Sequence, residues 1–217
     1  MGMNAFIIEG TRSPIGSFGG VLRDVRTDDL AAHSLSSLIS KFKSLDLEQI
    51  EDIYLGCANQ AGEDNRNVAR MASLLAGIPA SVPAETINRL CASGLSSVLH
   101  AQRAINSGAG DFFIAGGVEN MTRGPYIVSK SSKAFGTDSK MYDSSFGWRF
   151  VNSRMKSTYG AEAMGETAEN LVEQYSISRE DQDKFACWSQ EKTQLAKASG
   201  IFSQEISSLS IPQRKSE

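Results

Sequence analysis

The chain has 217 residues, long enough for one sizeable core or two small ones. Its 41% apolar and 22% charged residues are those of an ordinary globular protein, and a net charge of −3 counts against broad affinity for nucleic acid. No apolar run approaches the length of a membrane span, and no block of like charge marks an interaction tail.

The opening Met1-Gly2-Met3-Asn4 has neither a basic region nor a cleavable small-residue site, so no signal peptide is expected. Phe6-Ile7-Ile8-Glu9 reads as a short buried strand, ended by the turn-rich Gly10 to Pro14. Thr27 stands where an N-cap is expected, with Asp28 and Asp29 in the first turn of a helix carrying Leu35, Leu38, Ile39 and Phe42. A strand over residues 52–57 precedes a polar loop over 59–67 and a helix over 68–75, stopped by Gly77-Ile78-Pro79. Residues 84–88 form the third strand candidate. A helix over 93–106 follows, with Leu95, Val98, Leu99 and Ile105 on one side and Gly108 as its stop. Residues 112–117 read as a fourth, fully buried strand. Strands separated by such helices imply right-handed crossovers and a mainly parallel α/β sheet covered on both faces.

The texture changes near Val118, which divides the chain into an α/β core over 1–118 and a second domain over 119–217. Residues 119–160 are rich in Gly, Ser, Tyr and Met without periodicity, and so long an irregular stretch points to function rather than linkage. A helix over 164–175 would pack through Thr167, Ala168, Leu171 and Val172. Another opens at Ser178, with Asp181 three residues on, and runs to Ser199 with Gly200 beyond it. Residues 206–211 look like the start of a strand.

The three cysteines, Cys57, Cys91 and Cys187, are odd in number and contain no CxxC pair. That counts against a disulfide framework and a zinc site, predicts no metal, and fits a reducing, cytoplasmic compartment. Cys91 stands out by position, between the strand ending at Asn88 and the helix beginning near Ser93. That corner sets its sulfur beside free backbone N–H groups and the positive end of a helix dipole, both of which favour thiolate, the nucleophilic form. Ala92 and Gly94 are small enough for a substrate carbonyl to approach, and the N–H groups of the turn could hold a developing oxyanion. The competing reading is an inert core thiol. Cys57, ending a strand, and Cys187, between Ala186 and Trp188 in a helix, read as packing residues. A cysteine nucleophile needs a base. His100 is nine residues further along the chain, about 13 Å of helical rise away and out of reach. His33, off the apolar face of its helix, is expected in solvent.

Asn88-Arg89-Leu90-Cys91-Ala92-Ser93-Gly94 resembles the thiolase nucleophile signature N-x-x-C-x-S-G. The likeness extends along the chain in the family's order: Thr11 to Gly16, Gly62 to Arg70, Ala115 to Met121, Met164 to Asn170 and Ile177 to Asp183 each resemble a thiolase block. It implies a thiolase-like N-terminal half with an inserted loop domain. It also implies acyl transfer between CoA thioesters through a Cys91 thioester, with the Cys91 N–H as an oxyanion donor. Asn88, Ser93 and Gly94 would support the turn, and Met164 would line the acyl and pantetheine pocket. Acyl-CoA molecules would be substrates, with no further cofactor. Ala163 stands where short-chain biosynthetic members carry histidine, which implies a degradative or broader-substrate member. Leu55 to Gln60 and Gly147 to Asn152 look most like 3-oxoadipyl-CoA thiolases. The family's activating Gly-His-Pro histidine and its second, acid–base cysteine belong to a C-terminal half that this sequence does not contain. The resemblance therefore implies an incomplete enzyme, inactive alone, that forms a dimer or tetramer and pairs with a C-terminal-half chain. A non-catalytic assembly partner and a ketoacyl-synthase-like condensing enzyme are the alternatives.

Overall fold

The structure, a computed structural model, describes residues 4–211. The chain up to Pro125, joined again from Glu205 onward, makes one compact unit, and Tyr126–Gln204 make a second. Residues 1–3 and 212–217 of the two expected domains lie outside the described residues.

The first unit is built on three parallel strands, β1 (Asp52–Gly56), β2 (Ala84–Ile87) and β3 (Phe113–Gly117), in the order β2-β1-β3. Three helices flank them: α1 (Thr27–Ile39), α2 (Val68–Leu75) and α3 (Ser93–Ser107). Alternation along β1 turns Ile53 and Leu55 to one face, where they share a core with Leu35 of α1, Ala69 and Ala72 of α2, and Ile114 of β3. Tyr54 and Gly56 face the other way, toward α3. The Tyr54 ring meets His100 edge-on with centroids 6.0 Å apart. Both faces are thus covered, as a parallel sheet requires.

Local chemistry sets the helix ends. Asn67 caps α2 by accepting the Arg70 N–H at 3.1 Å while its amide donates to Ala84 O at 2.8 Å, which ties the helix to β2. Gly108, at φ 74°, ends α3 in the left-handed conformation that suits glycine. The N-cap of α1 is Arg26, one residue before the expected Thr27. A distant side chain explains the shift: the Glu63 carboxylate takes the Thr27 N–H at 3.1 Å, so Thr27 enters the helix.

That carboxylate also pairs with Arg123, and Asn120 Nδ2 donates to Val25 O at 3.0 Å. These bonds hold residues 119–125 in the first unit and move the boundary from the expected 118 to Pro125. Downstream, Arg12 N donates to Glu205 O and Ser207 N to Arg12 O, each at 2.9 Å, returning the chain to the first unit. Hydrogen bonding from Arg123, helped by the Thr27 N–H and the charge of Arg26, holds the Glu63 carboxyl below its ordinary range against the opposing effect of burial. A lowered carboxylate stabilises the fold above its unfolded pKa and loses that contribution as pH falls through the folded value. The urea-midpoint gap between wild type and Glu63→Gln is therefore expected to be full at neutral pH and to close below about pH 4. A gap that stays constant from neutral to acid would contradict this role.

Several expectations fail for want of a neighbour. Residues 6–9 form no strand; Phe6, Ile7 and Ile8 are 79%, 85% and 71% exposed. An apolar cleft of about 420 Å³, lined by Phe6, Ile8, Phe42, Val98, Ile105 and Ile114, separates the segment from β3, so no ladder joins them. In β3 only Ile114 is buried, because among the described residues its second edge has no partner. Leu95 points outward, 65% exposed, on the side of α3 away from the sheet. His33 is only partly solvated: its Nε2 is screened from solvent and has no hydrogen-bond partner. Residues 206–211 contribute a single bridge, Arg12 to Ile206, rather than a strand.

In the second unit, β4 (Tyr126–Val128) and β5 (Met141–Asp143) pair antiparallel, followed by α4 (Ser153–Tyr159), α5 (Met164–Tyr175), α6 (Arg179–Ala198) and α7 (Ile201–Glu205), whose last residue belongs to the first unit. Ser178 caps α6, accepting the Asp181 N–H at 3.1 Å and donating to its carboxylate at 2.7 Å; Gly200 follows at φ 77°. Neither α5 nor α6 buries a residue. The expected packing face at Thr167, Ala168, Leu171 and Val172 is not formed, and Cys187 is exposed rather than packed. Among the described residues, no element of this unit covers those faces. No helix among the described residues is long and apolar enough to cross a membrane.

Candidate active site

Parallel register gathers the carboxyl ends of the strands on one edge, with Gly56 opposite both Ile87 and Gly117. The loops that leave those ends are where open α/β sheets bind ligands. Cys91 lies in the loop after β2, two residues before α3, and it is exposed.

Side chains fix this turn. Asn88 Oδ1 accepts the Leu90 N–H at 2.9 Å, while Asn88 Nδ2 reaches across to Ala58 O at 3.1 Å. Ser93, 5% exposed, accepts the Arg89 N–H at 2.8 Å and donates to Leu90 O at 2.6 Å. Leu90 between them is left-handed, at φ 50°. That conformation costs a bulky residue on the order of 1–3 kcal/mol and persists only where its surroundings hold it. The bonds from Asn88 and Ser93 supply that hold. The Ser93 N–H is given to Leu90 O at 3.0 Å, and no side chain caps α3 at Ala92, so the Gly94 and Leu95 N–H groups that follow are open to solvent or a ligand. A Cβ built on Gly94 meets nothing within 4 Å, so the approach to the start of α3 is open. An exposed thiol at the positive end of a helix, on a braced turn with open space beside it, can attack a carbonyl carbon. Cys91 occupies the expected strand-to-helix corner, with Asn88, Ser93 and Gly94 in the same turn.

Met164 belongs to the other unit. It is the first residue of α5 in the second unit and is 77% exposed. Ahead of it, the Ala163 N–H donates to Glu166 at 2.7 Å, half of a capping box.

Cys57 is a different kind of thiol. It has 0% exposure, donates to Asp64 Oδ2 at 3.6 Å, and is pushed up to about 12, first by burial and then by the charges of Glu119 and Asp64. A thiol so held stays protonated and inert. Its sulfur and the carboxylates of Asp64 and Glu119 lie within 4.8 Å of one another, a spacing that could hold a metal ion. These groups are already engaged, however. Asp64 takes the Gly62 N–H at 2.9 Å as well as the thiol, and Glu119 takes the N–H groups of Ala58 at 2.9 Å and Asn59 at 3.1 Å. The cluster reads as a closed hydrogen-bonded knot behind the turn.

Two contributors went unnoticed in the sequence. A Cβ on Gly56 would fall 2.3 Å from Ser93 C and 2.5 Å from Gly94 N, so this glycine lets α3 begin against the end of β1. Its signal was a glycine inside a strand, which marks close approach of another backbone. Glu119 lies within the Ala115 to Met121 block, which by itself gives it no role. A carboxylate just beyond a strand end was the available hint.

The family model for the thiolase N-terminal domain matches residues 5–217. The chain belongs to the thiolase family. It is 54% identical, over 97% of its own length and 53% of the relative's, to the 3-oxoadipyl-CoA/3-oxo-5,6-dehydrosuberyl-CoA thiolase of Escherichia coli. It is 52% identical to the beta-ketoadipyl-CoA thiolase of Pseudomonas knackmussii, over 100% of this chain and 54% of that one. The crystal structure of the Bacillus anthracis acetyl-CoA acetyltransferase superposes with a TM-score of 0.84 at 33% identity, over 99% of this chain and 53% of that one. The thiolase fold is therefore present, and the chain spans about half the length of the curated relatives it matches.

Proposed function

We propose that this chain supplies the nucleophile of a thiolase acting on 3-oxoadipyl-CoA. The Cys91 sulfur attacks an acyl-CoA carbonyl, a carbon–sulfur bond forms, and CoA leaves as thiolate and takes up a proton. The acyl group then rests on Cys91 as a thioester. A second CoA thioester, deprotonated at its α carbon, attacks that carbonyl and releases the cysteine; in the opposite direction, CoA cleaves a 3-oxoacyl-CoA. The Cys91 N–H is one oxyanion donor. Met164 lines the acyl and pantetheine pocket, no metal or prosthetic group takes part, and the setting is a reducing cytoplasm in which Cys91 stays free. The observation that carries this reading is the exposed Cys91 thiol on a turn held by Asn88 and Ser93. The relatives' names support the substrate class.

Neither histidine serves as base. His100 packs on Tyr54, and His33 Nε2 is enclosed. The base and the second acid come from a C-terminal half of the kind the relatives carry, within a dimer or tetramer. A specific observation also favours an assembly role: Phe6, Ile7 and Ile8 are exposed beside a β3 edge that pairs with no strand among the described residues, a surface that invites a partner.

One experiment separates the two readings. The chain is assayed alone and after co-refolding with the C-terminal half of a beta-ketoadipyl-CoA thiolase. Thiolysis of 3-oxoadipyl-CoA is expected only in the mixture, with the acyl mass on Cys91. A complex that forms and stays silent, with no acyl adduct, would leave assembly as the function. Turnover by the chain alone would require a base elsewhere and defeat the division of labour.

A further inference from the structure

We propose that Glu119 is a positioning residue for Cys91, acting through the peptide unit between Ala58 and Asn59. The inference rests on Cys91 being the nucleophile. Glu119 follows β3, the Ala58–Asn59 unit follows β1, and Asn88 follows β2, so three loops meet at the carboxyl edge of the sheet. The Glu119 carboxylate accepts the Ala58 N–H at 2.9 Å through one oxygen and the Asn59 N–H at 3.1 Å through the other. The Asn59 N–H and the Ala58 C=O belong to one peptide unit, and that C=O accepts the Asn88 amide at 3.1 Å. A carboxylate on the N–H end polarises the unit and strengthens the C=O as an acceptor.

The chain of bonds continues to the sulfur. With Nδ2 held by Ala58 O, Asn88 must point Oδ1 at the Leu90 N–H, which it accepts at 2.9 Å. That bond keeps Leu90 left-handed, immediately before Cys91. Were Asn88 to flip its amide, it would set N–H against N–H at Leu90 and oxygen against oxygen at Ala58. Glu119 therefore fixes the orientation of Asn88 without touching the turn itself. The pairing of β1 with β2 and β3 reaches only to Gly56, Ile87 and Gly117, and the bonds just beyond, Cys57 N to Ile87 O and Val118 N to Gly56 O at 3.0 Å each, stop short of this relay. Disturbing Glu119 should leave the sheet intact.

Glutamine at 119 keeps the shape but presents an NH₂ group to one of the two N–H donors, whereas aspartate keeps both acceptor oxygens. The test is alkylation by iodoacetamide, read by peptide mass, with exposed Cys187 in the second unit as internal reference and buried Cys57 as the monitor of folding. Glu119→Gln is expected to lower the Cys91 to Cys187 labelling ratio by about tenfold, and Glu119→Asp to restore most of it. Asn88→Ala combined with Glu119→Gln should lose no more than the larger single loss, since both break one relay. An unchanged ratio in Glu119→Gln, no recovery with aspartate, or additive losses would overturn the proposal. So would labelling of Cys57 in both Glu119 variants, which would make Glu119 a residue of the fold. Alkylation needs no acyl-CoA, so the relay can stand or fall independently of the acyl-transfer reading.

Discussion

Cys91→Ala is expected to lower thiolysis by the chain complemented with a C-terminal half by at least about 10⁴-fold, because the covalent intermediate loses its only anchor. Neither remaining thiol can substitute. Cys57 is enclosed and pushed up to about 12, and Cys187 lies on α6 of the second unit with its thiol on Glu191 at 3.6 Å. The side chain removed is exposed and bonds to nothing that holds the turn, which Asn88 and Ser93 secure instead. Stability should therefore stay within about 0.5 kcal/mol of wild type. Steady-state thiolysis, acyl-adduct mass and a urea titration of the same preparation check the three parts together. Retained turnover with normal unfolding would remove Cys91 from the mechanism.

Gly56→Ala is expected to be among the most damaging single methyl groups in the first unit, costing about 3 kcal/mol. The added carbon would sit 2.3 Å from Ser93 C, 2.5 Å from Gly94 N and 2.6 Å from Ser93 O, all of them backbone atoms that cannot rotate away. Relief requires moving either the end of β1, which is bonded to β2 and β3, or the start of α3, which carries the Cys91 turn. Gly94→Ala is the matched control. Its methyl meets nothing within 4 Å and removes freedom from the unfolded chain, so its urea midpoint should hold or rise slightly. Equal midpoints for the two variants would mean that α3 does not pack against β1 as described.

Where sequence and structure agree, the cause is local. The helix over 68–75 appears at those residues because Asn67 caps it and Gly77 stops it, and α6 is framed in the same way by Ser178 and Gly200. The Cys91 corner was legible because a strand, a turn and a helix follow one another within a few residues. What was not legible depends on partners far away in the chain. Phe6-Ile7-Ile8 has the composition of a strand, but composition does not supply an edge to pair with. β4 and β5 have three residues each, too few for a period to emerge. Leu95 fits a helical stripe whose neighbouring face carries the contact instead. Glu119 acts on a peptide some 60 residues earlier, and no spacing rule links the two.

The return of the chain at Glu205 separates two kinds of variation. All three strands of the first sheet, the Cys91 turn and Glu119 are complete before Tyr126, and the backbone comes back to Arg12 after the excursion ends. Lengthening, shortening or rewriting residues 126–204 therefore leaves every ladder bond of that sheet in place. Such an arrangement lets residues 126–204 diverge among descendants of one ancestor while the sulfur's setting is inherited unchanged.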